Sequence, residues 1–198
     1  MSRRCRRSQP RPRMIPQLTD YPQDLPVLGL EGLRLRPLRE ADAADWHAYL
    51  RDEAVTRHTS WQLDGPDTLV RLIRGYAQPA VSHSLRLAIV TLDGVLAGTI
   101  GLNEIAASAR RAEIAYDVAP PYWRRGIATR ACVSVTEWAL RELGFARIQA
   151  TVLDTNVASA GVLERCGFQR EGLMRRYRLV RGDPRDFWMY ARVAAAQD

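Results

Sequence analysis

The stretch from Ala119 to Ala131, APPYWRRGIATRA, holds the densest set of groups that could do chemistry. A strand ends here, a turn runs through Trp123-Arg124-Arg125-Gly126, and a helix begins at once. The first amides of a helix have no carbonyl to bond, and the aligned peptide dipoles add positive character there, so such a start favours phosphate. Gly126 lets the backbone come close to a ligand, and Ala128 nearly as close. Arg124 and Arg125 bring charge to the mouth of the turn, and Thr129 brings a hydroxyl. The pattern is not G-x-x-x-x-G-K-[ST], and the chain contains no lysine; nor is it a dinucleotide fingerprint, because a single glycine is present. A surface arginine pair at an ordinary helix start is the plainer reading of the same residues. Other chemistry is thinly represented. His47, His58 and His83 are scattered, and Cys5, Cys132 and Cys166 lack any C-x-x-C spacing, so neither set reads as metal ligands. Cys132 and Cys166 read as small reduced hydrophobes.

A strand must lead into this turn and a helix must leave it. RAEIAYDV at 111–118 reads as that strand, closed by Pro120-Pro121. Gly126 to Leu143 reads as that helix, with Ala128, Ala131, Cys132, Val135, Ala139 and Leu143 at three- and four-residue steps and Gly144 as its cap. Upstream, Leu33 and Leu35 alternate with Arg34 and Arg36 as a strand ended by Pro37. A helix spans Arg39–Glu53, and a second begins at Gly65-Pro66 and buries Leu69, Leu72 and Ile73. Strands at Ser84–Leu92 and Val95–Gly101 flank Asp93-Gly94, which predicts a type I′ hairpin turn. Downstream come a strand at Arg147–Leu153, a helix at Val157–Arg165 stopped by Gly167, and a strand at Phe168–Leu173. A last strand, Phe187–Val193, follows the turn-rich Arg181-Gly182-Asp183-Pro184. The order β-α-α-β-β-β-α-β-α-β-β predicts an α/β (α+β) fold, a mixed sheet with helices on both faces. Ligands of open α/β sheets sit where neighbouring strands part.

The chain is 198 residues long, which suits one domain. Six of its seven net positive charges equal the arginines at 3, 4, 6, 7, 11 and 13, so the remainder is close to neutral. Residues 1–27 read as a basic, proline-rich disordered tail, and 28–198 as the folded domain. The tail either touches RNA or the ribosome weakly, or lies before a true start at Met14. No apolar run approaches the roughly 20 residues of a membrane span, and no apolar stretch follows the basic start as in a signal peptide. A cytoplasmic protein without membrane contact is expected.

Residues 123–128, Trp-Arg-Arg-Gly-Ile-Ala, resemble the pyrophosphate loop Q/R-x-x-G-x-G/A of motif A in the GNAT acetyltransferase superfamily, with Trp123 departing from the usual first residue. AEIAYDVAP before it resembles the family's splayed fourth strand. DTNVASAGVLERCGFQREG resembles its Asn-x-x-Ser/Ala helix leading into a Gly-Phe turn. LRLRPLREADAADW and EGLMRRYRLVRGDPRDFWMYA fit the RimJ/RimL-type branch, the ribosomal-protein N-terminal acetyltransferases. The resemblance covers about residues 31–193. It implies the GNAT fold: a mostly antiparallel sheet of six to seven strands, splayed between the fourth and fifth. It also implies direct attack of a primary amine on acetyl-coenzyme A, with no metal.

On this resemblance the amides of Arg125 to Ala128 hold the pyrophosphate, with Arg124 and Thr129 beside them. The backbone of Tyr116, Asp117 and Val118 pairs with the pantetheine arm. An N–H there, that of Val118 or a neighbour, meets the thioester oxygen, and losing such a donor typically costs about 2.7–4 kcal/mol. Glu113 is the candidate base, directly or through water; the alternatives are an outward strand residue or an ion-pair partner. Leu163 stands where many relatives carry an acidic tyrosine. Ser159 is then either the acid, a contact to the sulfur or pantetheine, or a cap of its own helix, and Asn156 a cofactor contact or a cap. His58, Trp61, Tyr177 and Trp188 are candidates for the acceptor pocket. The acceptor is expected to be a protein N-terminus. A small cationic amine, an antibiotic or polyamine, would want inward carboxylates from Asp45, Asp52, Glu53 and Asp64. A catalytically idle protein that binds coenzyme A and RNA is the remaining reading. A homodimer is plausible on the same resemblance.

Overall fold

β2 (Leu85–Thr91) is buried along almost its whole length, and its alternate residues belong to two different cores. Leu85, Leu87 and Ile89 join one cluster, and Ala88 and Val90 join another. A strand with both faces dry needs a layer on each side, and the chain supplies them. The computed structural model describes residues 22, 24–59 and 64–195. Trp61 and most of the basic tail lie outside the described residues.

The sheet has seven strands in the order β1-β2-β3-β4-β5-β7-β6. The others are β1 (Leu33–Pro37), β3 (Leu96–Ala106), β4 (Arg111–Val118), β5 (Arg147–Leu153), β6 (Gln169–Val180) and β7 (Asp183–Val193). Every neighbouring pair is antiparallel except β4 and β5. One face packs on α1 (Ala43–Leu50) and α3 (Pro66–Tyr76), through Trp46, Leu50, Leu69 and Ile73. The other packs on α5 (Ile127–Arg141) and α6 (Val157–Arg165), through Ala131, Val135, Ala139 and Leu163. This is the mixed, mostly antiparallel α/β arrangement expected, with helices on both faces.

Several boundaries differ from the sequence pattern, among them β3, which runs to Ala106 rather than Gly101, and β7, which starts at Asp183 rather than Phe187. The helix expected over 39–53 breaks at Arg51-Asp52 and restarts as α2 (Glu53–Thr56), because the Asp52 carboxylate accepts from the Ala54 amide at 2.8 Å and so caps a new start. A further short helix, α4 (Pro79–Ser82), precedes β2. Asp93-Gly94 does not form a type I′ turn: only Gly94 has positive φ (86°), and its N–H bonds Thr91 O at 3.0 Å. The two-residue turn with both φ positive lies instead at Arg181-Gly182 (53° and 87°), joining β6 to β7. β6 therefore runs seven residues past the expected Leu173. A bulge hid it: the pairs Met174↔Phe187 and Arg178↔Arg185 leave three β6 residues opposite Asp186, which breaks the two-residue period. Order also begins before Leu28. Trp138 Nε1 donates to Asp24 O at 3.0 Å, and Leu28 is buried against α5.

β4 and β5 pair only over Arg111–Glu113 with Arg147–Gln149. Beyond that, β4 continues to Val118 and β5 to Leu153 without partnering each other. Ala119 N–H bonds Ala97 O at 2.9 Å, so Asp117 exchanges bonds with Thr99, and by alternation Tyr116 and Val118 turn their amides and carbonyls toward the gap.

Candidate active site

A cavity of 170 Å³ occupies that gap and passes through the sheet. Strand alternation sorts its walls. Glu113, Ala115, Asp117, Thr151 and Leu153 face the α1 layer, whereas Ile114, Tyr116, Ala150 and Val152 face the α5–α6 layer. Ser159, Asn156 and Leu163 close the α6 side; His58, Arg178 and Phe187 line the α1 side. Glu113 and Ser159 are thus brought to one cavity from opposite faces of the sheet.

Glu113 is 5% exposed. Its Oε1 accepts from Thr151 Oγ1 at 2.9 Å, and Arg178 Nη2 stands 3.4 and 3.5 Å from its two oxygens. Burial pushes its pKa above the usual carboxylate range, while the Arg178 charge and the Thr151 hydroxyl pull the other way and only partly offset that rise. A carboxylate of raised pKa beside a cleft suits proton abstraction near neutral pH. The ion pair with Arg178 is present as well, so the structural and chemical readings of Glu113 describe the same side chain.

Across the gap, the Tyr116 hydroxyl lies 3.0 Å from Ser159 Oγ and donates to Ser159 O at 3.3 Å. Burial holds Tyr116 protonated well above the ordinary tyrosine range. Asn156 Oδ1 accepts from Ser159 N–H at 3.1 Å and caps α6. The cap is therefore formed at Asn156, whereas the Ser159 hydroxyl is turned to a tyrosine at the gap.

The turn before α5 is held open by its own backbone. Arg124 and Gly126 both occupy the left-handed region, at φ 61° and 73°. Gly126 caps the helix with no side chain, and among the described residues no acceptor reaches the amides of residues 124–129. Unbonded amides at a tight turn leading into a helix start form a concavity that suits an anion. Arg124, Arg125 and Gly126 are exposed, Ala128 and Thr129 half-buried, and Ile127 anchors the helix start in the core. The Arg125 guanidinium lies 5.4 Å from the centre of the Tyr122 ring. Trp123 Nε1 donates to Val118 O at 2.5 Å, so this residue, anomalous in the motif, ties the turn back to the end of β4.

Asp117 does more than lend its backbone. Its side chain accepts from Thr99 Oγ1 (2.7 Å), Arg86 Nη2 (2.8 Å), Trp46 Nε1 (3.3 Å) and Tyr49 OH. Arg86 is 2% exposed, donates also to Thr99 and to Ala115 O, and lies 5.7 Å from the Trp46 ring centre. To reach Asp117 it crosses Gly101, where an added Cβ would stand 2.9 Å from its Cδ and 2.0 Å from Leu85 O. This network fastens β4 to α1, β2 and β3 just where β4 leaves β5. The signal for it was an arginine within the apolar run LRLAIV, a charge on a strand whose two faces are otherwise buried.

The acceptor candidates divide. His58 lines the cavity; burial and the charges of Arg57 and Arg185 lower its pKa, and its buried Nδ1 has no hydrogen-bond partner among the described residues. Trp188 does not line it. As β7 alternates, Phe187 faces the cavity and Trp188 faces the α6 layer, with the Arg170 guanidinium 4.4 Å from its ring centre. Tyr177 stands behind Phe187, edge-on at 5.9 Å between ring centres. Thr151, Arg178 and Phe187 are lining residues that the sequence did not single out: Arg178 lies past Leu173, where the sequence pattern ends its strand, and Phe187 stands out only as the start of the last strand. Asp45, Asp52, Glu53 and Asp64 are exposed, and none lines the cavity. Among the described residues no cluster of His, Cys, Asp and Glu could hold a metal, and no helix is long and apolar enough to cross a membrane.

Residues 32–169 match the family model described as the acetyltransferase (GNAT) domain. The chain is 33% identical over 171 residues to the uncharacterized N-acetyltransferase YoaA of Bacillus subtilis, covering 85% of this chain and 97% of that one. It is 27% identical to the spermidine N(1)-acetyltransferase of Escherichia coli K12, covering 78% and 82%. Among solved structures, Mycobacterium smegmatis RimJ in complex with CoA-disulfide superposes with a TM-score of 0.74 at 30% identity, covering 84% of this chain and 85% of that one.

Proposed function

The chain belongs to the GNAT acetyltransferase family and is an acetyl-coenzyme A-dependent acyltransferase, and on that premise we propose that it acetylates the α-amine of a protein N-terminus. The observation that carries this reading is the charge of the acceptor side. Glu113 is one buried carboxylate, already balanced by Arg178; Asp117 is closed into its network with Arg86; and the four acids a polycation would need are exposed and do not line the cavity. An α-amino group, with a pKa of about 8, sheds its proton more readily than a lysine-type amine at about 10.4, so one carboxylate of raised pKa suffices for it. The similarity to RimJ supports the same class. The spermidine relative makes a polyamine the reading to exclude.

Acetyl-coenzyme A supplies the acetyl group, activated as a thioester. The residues present suit it: the amides of 125–128, with Arg124, Arg125 and Thr129, for the pyrophosphate, and the gap-facing backbone of Tyr116 and Val118 for the pantetheine arm. Glu113 takes the proton of the attacking amine, directly or through water. Ser159, held by Tyr116 OH, returns a proton to the departing sulfur from the opposite face. His58 offers Nδ1 as an acceptor for the polar group next to the amine. The arginine tail at residues 1–13 adds weak RNA or ribosome contact.

Thiol release from acetyl-coenzyme A, followed with N-terminal peptides, lysine peptides and spermidine, tests the acceptor. The N-terminal peptides should show kcat/KM at least about tenfold higher, the equivalent of 1.4 kcal/mol; a preference for spermidine overturns the proposal. The turn is tested separately. A Cβ added at Gly126 meets no atom within 4 Å, but Gly126→Val forces a β-branched residue into the left-handed region, at about 1–2 kcal/mol. We expect a folded protein whose coenzyme A affinity, measured by calorimetry, falls tenfold or more; unchanged affinity removes the phosphate role from this turn.

A further inference from the structure

The outer ribbon of the sheet is built unlike its centre. β6 is the last strand of the order, so among the described residues one side of its backbone has no strand partner. Most of its side chains are exposed, on both faces. Arg170, Arg175, Arg176, Arg178, Arg181 and Arg185 all lie on β6, β7 or the turn between them. Arg178 is held by Glu104 and Glu113, Arg181 by Glu53 at 2.7 Å, and Arg185 by Asp154 at 3.6 Å. Arg170 covers Trp188. Arg175 and Arg176 meet no carboxylate among the described residues. Both sit in the bulge, which is fixed by the Arg176 amide donating to Asp186 Oδ1 at 2.7 Å and by a left-handed φ of 51° at Arg176. The bulge is therefore a formed feature with two uncommitted cations. Exposed apolar side chains flank it: Leu173 at 39%, Tyr177 at 40% and Leu179 at 62%. Tyr177 packs on Phe187, and Phe187 and Arg178 line the cavity, so the ribbon adjoins the mouth through which the acceptor reaches Glu113.

We propose that the β6–β7 ribbon is a docking surface for an acidic, extended segment of the acceptor protein. Its carboxylates meet Arg175 and Arg176, and its backbone pairs along the free edge of β6. Its N-terminal end enters the cavity past Phe187. Charge complementarity selects this occupant: an uncovered edge strand accepts an extended chain, and unpaired arginines with apolar neighbours favour carboxylates over a neutral or basic partner. The proposal rests on the N-terminal reading of the acceptor and adds to it a choice of sequence beyond the first residues.

The test uses peptides sharing their first three residues and differing downstream, with acidic, neutral or basic residues at positions four to eight. At low salt the acidic peptide should show kcat/KM about five- to tenfold above the neutral one, mostly through KM, and the advantage should fade by about 0.5 M salt, where charges separated by more than roughly 4 Å are screened. In the double variant Arg175→Gln/Arg176→Gln the advantage should vanish, while kcat for the neutral peptide, coenzyme A affinity and the melting temperature stay at wild-type values. Acetylation indifferent to downstream charge, or a preference that survives in the double variant, overturns this proposal and leaves the N-terminal reading standing. Failure of every peptide while spermidine is turned over overturns both. Two further results assign the surface to another occupant and overturn the docking claim: an RNA oligonucleotide whose binding the double variant abolishes, or a dimer in sedimentation that the double variant dissociates.

Discussion

Replacing Glu113 with Gln should lower kcat about a hundredfold or more, the usual contribution of a positioned base, while leaving coenzyme A affinity unchanged. The wild-type profile of kcat/KM should rise with pH through a midpoint above the ordinary carboxylate range, since burial outweighs the pull of Arg178 and Thr151 on this carboxyl. The variant should lose that limb. Arg178→Gln should move the midpoint further up, because it removes the cation that favours the ionised form. Stability should change in the opposite sense to activity. A folded-state pKa above the unfolded one means the protonated native form contributes stability below the unfolded pKa, and that contribution is lost as pH rises through the folded value. At pH 8 the wild type carries an ionised carboxylate in a dry site and the Gln variant does not, so the variant should melt at a higher temperature there, with the gap closing toward pH 4. An unaltered profile with wild-type kcat would remove Glu113 from the mechanism.

Arg86→Met should be the most damaging single change to the fold. Asp117 would keep its bonds to Thr99, Trp46 and Tyr49 but lose the only cation bonded to it among the described residues, in a site where the Arg86 side chain is 2% and that of Asp117 12% exposed. Leaving one charge of such a pair uncompensated costs about 3–5 kcal/mol, against a total stability of roughly 5–15 kcal/mol for a typical domain. Urea unfolding should show this as a fall in midpoint with little change in slope. The double variant Arg86→Met/Asp117→Leu should recover part of the loss, since an apolar pair avoids the stranded charge. A loss below about 1 kcal/mol in the single variant would mean that water reaches the pair. Because the same network fixes β4 at the gap, the folded fraction of Arg86→Met should also bind coenzyme A more weakly.

The strand–turn–helix around Gly126 was legible because its signal is local: a strand end, a proline pair, a glycine and a helix start follow one another closely. The sheet with helices on both faces was legible from the order of elements, with hairpins early and crossover helices late, each set by local periodicity. What escaped was set by pairing across the sheet. Nothing at Trp188 says which face of β7 it occupies; that depends on a register fixed by Leu153↔Phe187 and by the bulge at 175–177. Arg178 reaches Glu113 over 65 residues of chain. The side-chain role of Asp117 needed a helix from the first third of the sequence and two other strands. At Tyr116 the sequence points only to the backbone; its hydroxyl gains a partner in Ser159 because α6 lies beside β4.

Glu113 and the Tyr116–Ser159 pair look into a single slot from its two ends, so on the roles proposed for them the sheet itself separates where a proton is collected from where one is handed back. Donor and recipient then have separate doorways. Neither must vacate its place before the other arrives, and at no stage does the travelling acyl fragment have to be parked on the enzyme.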